Sequence, residues 1–188
     1  MKKSIMDNFL VKAAIPTNTH KKQDQPENPR LWDAIWRAHR DVLTGRFHLP
    51  QYVGRAFGEK KHYVTEKLNE IILEKVQKGQ AISSLPLIKE LQEAFPNVEF
   101  GAIQKLVNMT LKYVIIIKTV TNEIEFEVDE VECDCPLDSI ILSKLPKKHT
   151  AWTKLEETEY LEIQTEIRNM LSHEQQAQGN VVFDFLHW

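Results

Sequence analysis

The 188-residue chain has only two cysteines, Cys133 and Cys135. Two thiols exclude a disulfide-stapled scaffold and suit a reducing compartment. They form a lone C-x-C in an acidic segment, with no second Cys pair and no His-x-His cluster after it. A zinc centre needs about four ligands, so no metal is expected. Long aliphatic runs are also missing. The longest, Val114 to Ile117, is far too short to span a bilayer. Asp7 interrupts the apolar residues of MKKSIMDNFL and denies that segment the h-region of a signal peptide. Internal repeats are absent. A cytoplasmic location, with no membrane partner, is the expectation.

What remains is ordinary globular composition, 42 % hydrophobic and 27 % charged. A single core of this size buries most of its apolar surface. The formal net charge of −3 hides an asymmetry. Residues 1–75 are net +5, residues 76–118 net +2 and residues 119–188 net −10. The first two thirds are basic enough to face a polyanion. The acidic remainder argues against non-specific nucleic-acid binding by the whole chain.

Residues 1–30 are polar and read as an N-terminal arm, and residues 31–188 as a single helical domain. Leu31, Ile35, Trp36, His39 and Leu43 recur with helical period, and Gly45 is a plausible stop. Residues 46–58 read as loop. A helix over 60–78 ends at Gly79. Ser83 or Ser84 can cap a short helix from about Pro86 to Ala94, broken by Phe95-Pro96-Asn97. Residues 121–132 alternate Ile124, Phe126 and Val128 with acids, a short hairpin or an extended excursion. Pro136 opens the helix PLDSIILSKL, and an amphipathic helix covers about 156–171. The apolar tail VVFDFLHW docks on the body. The expected class is mainly α, with one small strand-like excursion.

The long apolar helix FGAIQKLVNMTLKYVIII, Phe100 to Ile117, carries Lys105 and Lys112. At 100° per residue, positions seven apart share a face. With Gln104 and Asn108 the lysines form one polar stripe, while Ile103, Leu106, Val107, Met109, Leu111, Val114 and Ile115 are apolar. Such a stripe either faces water or lines a cleft. Lys105 falls in the first turn after Gly101, where unpaired N–H groups favour anions, DNA phosphates included. Desolvation disfavours the charged form of an amine, which is one route to a Schiff-base nucleophile. Asp138, at the start of an otherwise apolar helix, either stabilises that helix end or serves as a catalytic carboxylate.

Gly101-Ala-Ile-Gln-Lys105 followed by Pro136-Leu137-Asp138 resembles the helix-hairpin-helix DNA glycosylases that remove 8-oxoguanine. It is similar in particular to the compact 8-oxoguanine glycosylase-fold proteins of bacteria and archaea. The likeness covers about Leu85 to Leu145, and the 33-residue separation of Lys105 and Asp138 suits the archaeal spacing. The hairpin here keeps one glycine, Gly101, where the family's is glycine-rich, and the acidic segment falls between the two motifs. The resemblance implies removal of an oxidised purine from double-stranded DNA, with Lys105 as nucleophile, Asp138 as its electrostatic partner and no cofactor. Candidate DNA contacts are Gly101, Gln104, Lys147, Lys148 and His149, and candidate base-pocket residues are Trp36, Asn108, Lys112 and Trp152. Each has a plainer alternative. Trp32, Trp36 and Trp152 suit core packing. Lys147, Lys148 and His149 suit a solvated loop, and Arg37, Arg40, Arg46 and Arg55 suit an exposed surface. The acidic segment suits a solvated edge. The alternative function is a non-catalytic DNA- or protein-binding module that retains the glycosylase-like fold. A further reading is a purely protein-binding α-domain.

Overall fold

The described residues are arranged around one helix. The computed structural model describes residues 28–43, 54–121 and 123–187. Helices α1 (Pro29–Leu43), α2 (Gly54–Gln77), α3 (Ser84–Ala94) and α4 (Phe100–Thr121) come first. Helices α5 (Ser139–Leu142), α6 (Glu157–Met170), α7 (His173–Gln176) and α8 (Val181–His187) follow. Short 3-10 turns stand at Glu130–Glu132 and Trp152–Lys154. The described chain is mainly helical, and no β-strand forms among the described residues. Residues 1–27, most of the expected arm, and Gly45 lie outside them.

Helix α4 is buried on nearly every side, from Gly101 through Ile117 with Lys105 the exception. It is long and apolar enough to cross a membrane by length and composition, yet 89 % of that stretch is buried inside the protein. It is the core helix. Helix α1 lies along it with Leu31, Ala34, Ile35, Ala38 and Val42 fully buried, the three-and-four spacing of one helical face. Tyr113 of α4 donates a hydrogen bond to Asp41 of α1, and Arg37 Nε lies 3.3 Å from the same carboxylate. Helix α3 packs on α4 and on α2, which in turn packs on α1.

Helix α2 begins at Gly54, earlier than expected, because glycine within a helix costs only about 1 kcal/mol against alanine. It ends as expected. Gly79 takes φ +66°, its N–H bonds Val76 O, and Gln80 N–H reaches back to Lys75 O, closing a Schellman turn. Ser83 stands at the N-cap of α3 without a capping side-chain bond. Ser84 Oγ instead accepts from Asp134 N–H at 2.8 Å. Between α3 and α4, Gln92 Nε2 donates to Phe95 O and Val98 O and ties off the tight connection.

Residues 123–129 carry no helix, form no hairpin among the described residues, and lead into the 3-10 turn at Glu130–Glu132. Val128 makes one parallel bridge to Ile82. Ile124, Phe126 and Val128 point inward and Glu123, Glu125, Glu127 and Asp129 outward. The expected helix at PLDSIILSKL shrinks to α5, because Pro136 and Leu137 are extended and Asp138 is the N-cap. The tail forms α8, with Val181 to Phe185 buried.

The polar stripe of α4 does not face water. Gln104, Asn108 and Lys112 are each 0 % exposed. The Lys112 ammonium is ion-paired with Asp184 of α8, 5.5 Å from the Phe185 ring centroid. Burial pushes the Asp184 carboxyl up, opposed by Lys112. Removing one partner of a buried pair costs about 3–5 kcal/mol, whereas replacing both by apolar groups is often neutral. Asp184→Ala is therefore expected to lower Tm by roughly 10 °C. Lys112→Met combined with Asp184→Leu is expected to restore most of that loss, and a thermal melt showing no recovery would count against the pairing.

Candidate active site

Lys105 and Asp138, 33 residues apart in sequence, meet across the start of α4. Lys105 Nζ lies 3.3 Å from Asp138 Oδ2. The other carboxylate oxygen, Oδ1, accepts the N–H groups of Ile140 (2.9 Å) and Ile141 (3.0 Å). One oxygen thus caps α5 and the other faces the amine. Their side chains are 12 % and 25 % exposed, so the pair is shielded yet reachable. Trp152 supplies a third wall, its ring centroid 4.7 Å from Lys105 Nζ, within cation–π range. Because α4 starts at Phe100, Lys105 lies in its second turn, one residue deeper than expected. The helix-end N–H groups therefore do not surround the amine.

Gly101 makes this approach possible. A Cβ there would stand 1.9 Å from the Trp152 carbonyl oxygen and 2.9 Å from its carbon. The 3-10 turn Trp152–Lys154 packs on α4 at this place. The glycine's role is close contact between backbones, which brings the Trp152 ring to the lysine.

The other residues named from the sequence divide. Gln104 is sealed inside. Its Nε2 donates to Gly101 O (3.0 Å) and Leu137 O (2.9 Å), and its Oε1 accepts from Leu137 N–H (3.2 Å). It cannot touch DNA from there. Asn108 Nδ2 donates to Tyr160 OH at 2.9 Å, and Lys112 is ion-paired with Asp184, so neither lines an open base pocket. Trp36 is half-buried beside Trp32 and His39 on α1. Lys147 and Lys148 are exposed. His149 turns inward, 3.3 Å from Glu166 and 3.9 Å from Glu159, and Thr150 N–H bonds Glu159. Arg46 lies outside the described residues.

Sequence reasoning missed Asp134, Tyr160, Gln164 and Asp184. Asp184 had a legible signal: a lone acid in an apolar tail, opposite a lysine in an apolar helix. Gln164 acts on backbone groups, and Asp134 and Tyr160 meet each other across 26 positions, pairings that leave no mark in residue patterns. Cys133 and Cys135 are buried thiols whose burial pushes both up.

Two expectations follow. Alanine at Gly101 must displace backbone, so Gly101→Ala is expected to lose about 2–3 kcal/mol. Gly79→Ala, strained by φ +66° but free of contacts within 4 Å, is expected to lose only about 1 kcal/mol. Denaturant melts compare the two directly. Asp134, half-buried, is pushed up to about 6 by burial, while the Tyr160 hydroxyl at 2.6 Å opposes the rise. The folded chain therefore holds this proton more tightly than the unfolded one, whose ordinary value is 3.8. That contribution is complete below pH 3.8, is lost as pH climbs to about 6, and stays lost above. Asp134→Asn is expected to gain roughly 1–2 kcal/mol over the wild type at pH 8 and nothing at pH 3.8. Equal effects at both would contradict the assignment. Comparison of the chain with protein-family models, with curated proteins and with solved structures finds no match.

Proposed function

We propose that this chain is a base-excision DNA glycosylase with AP-lyase activity on an oxidised purine such as 8-oxoguanine, built on the helix-hairpin-helix glycosylase plan. The observation that carries the reading is the Lys105–Asp138 pair, 3.3 Å apart at a part-exposed site. The order of elements supports it: α3, a tight connection, then α4 bearing the amine.

In this mechanism the damaged nucleotide is extruded from the duplex. The Lys105 amine attacks C1′ of the sugar while the bond from C1′ to the base breaks. The base leaves with the electron pair of that bond and the proton that the amine sheds. Opening of the sugar ring then gives the Schiff base, and β-elimination nicks the strand. Asp138 forms no bond to substrate. Its Oδ2 aligns the amine and stabilises the positive charge that develops on the sugar, an electrostatic role strengthened by its fixed orientation on α5. Lys147 and Lys148, exposed in the loop that precedes Trp152, supply phosphate contacts.

The test is borohydride trapping on a duplex containing 8-oxoguanine. The wild type is expected to give a covalent adduct and Lys105→Gln none. Asp138→Asn is expected to slow excision roughly 10²- to 10³-fold, the cost typical of losing one preorganised electrostatic group. A wild type that binds duplex DNA without forming an adduct would sink the enzyme and leave a binding module.

A further inference from the structure

The segment that delivers Asp138, residues 133–138, has no regular secondary structure, so its backbone groups must find partners elsewhere. Cys133 and Asp138 bond other backbone groups, whereas Asp134, Cys135 and Leu137 find side chains. Gln164 of α6 takes both groups of one residue: Cys135 N–H donates to its Oε1 (3.1 Å) and its Nε2 donates to Cys135 O (2.7 Å). Gln104 of α4 does the same two residues on, at Leu137. Each glutamine presents the donor–acceptor pair that a neighbouring β-strand would offer. Each is steadied in turn by an asparagine. Asn108 Nδ2 lies 3.4 Å from Gln104 Oε1, and Asn180 Nδ2 lies 3.2 Å from Gln164 Oε1. Gln104 and Gln164 are 0 % and 4 % exposed, and buried amides are retained at such cost only when bonded.

The register is what matters. Gln104 immediately precedes Lys105, and Leu137 immediately precedes Asp138. A clamp between Gln104 and Leu137 therefore fixes the backbone of the carboxylate against the backbone of the amine. One clamp alone is a pivot; the second, at Cys135, stops rotation about it.

We infer that Gln104 and Gln164 are positioning residues, a double amide clamp that holds the 133–138 strap so that Asp138 meets Lys105. This rests on the glycosylase reading for its effect on rate, though not for its effect on the strap. Only a neutral primary amide serves, because glutamate lacks the donor and methionine lacks both groups.

The experiment measures Gln104→Met and Gln164→Met in the full chain by three readouts: single-turnover excision, duplex DNA Kd, and amide hydrogen exchange at Leu137 and Cys135. Gln104→Met is expected to slow excision roughly 10- to 100-fold, as loss of an orienting partner does, with Kd within about 2-fold of wild type. The Leu137 amide is expected to exchange faster while core amides of α1 keep their protection. Gln164→Met is expected to act likewise at Cys135, and serves if the first variant does not fold. In an Asp138→Asn background Gln104→Met is expected to add less than about 3-fold, because no carboxylate is left to place. Additive losses, or a Leu137 amide protected as in the wild type, would overturn the clamp. A wild type without excision would overturn the glycosylase reading instead, and the clamp would then be decided by exchange alone.

Discussion

The constraint on which the rest depends is the polar stripe buried along α4. A core helix that carries two amides and an ammonium on one face must be met by partners, or each group loses its water uncompensated. The chain answers residue by residue. Gln104 takes the backbone of Leu137, Asn108 takes Tyr160, and Lys112 takes Asp184. Those three answers bring in the strap, α6 and α8. The second half of the fold is assembled by satisfying the first half's buried polar groups. Specificity of arrangement follows, since an apolar stripe would accept many packings and this one accepts few.

Lys105 stands at the edge of that stripe and is its one partly exposed member. Lys112, seven residues on, has the same direction but full burial and an ion pair, which makes it structural. Lys105 keeps some contact with solvent, faces a carboxylate whose other oxygen is pinned by α5, and is flanked by the Trp152 ring. The same Asp138 that starts a four-residue helix is thereby aimed at an amine. Economy of this kind couples stability to the site: loosening the cap or the strap moves the carboxylate.

Much of this was legible in the sequence. Helical periodicity marked α1 and α6 because their buried faces repeat at about 3.6 residues, and a long apolar run marked α4. Gly79 announced its turn because positive φ favours glycine. The order Gly101, Lys105, Pro136, Asp138 marked a pair that the fold does bring together. The stripe's direction was not legible. Polar residues on an apolar helix look alike whether they meet water or buried partners, and the partners here lie 33 to 72 positions away. For the same reason Gln104 looked like a DNA contact and Asn108 and Lys112 like pocket walls. The length of α5 was hidden too, because Pro136 suits the first turn of a helix as well as the extended strap that it joins.

The central claim is that Lys105, and no other amine, is the nucleophile. The most direct measurement is peptide mapping by mass spectrometry of the borohydride-reduced adduct with duplex DNA. The account predicts the sugar-derived mass on Lys105 alone. A reduced adduct on Lys147, Lys148, the N-terminal amine or any lysine other than Lys105 would contradict it.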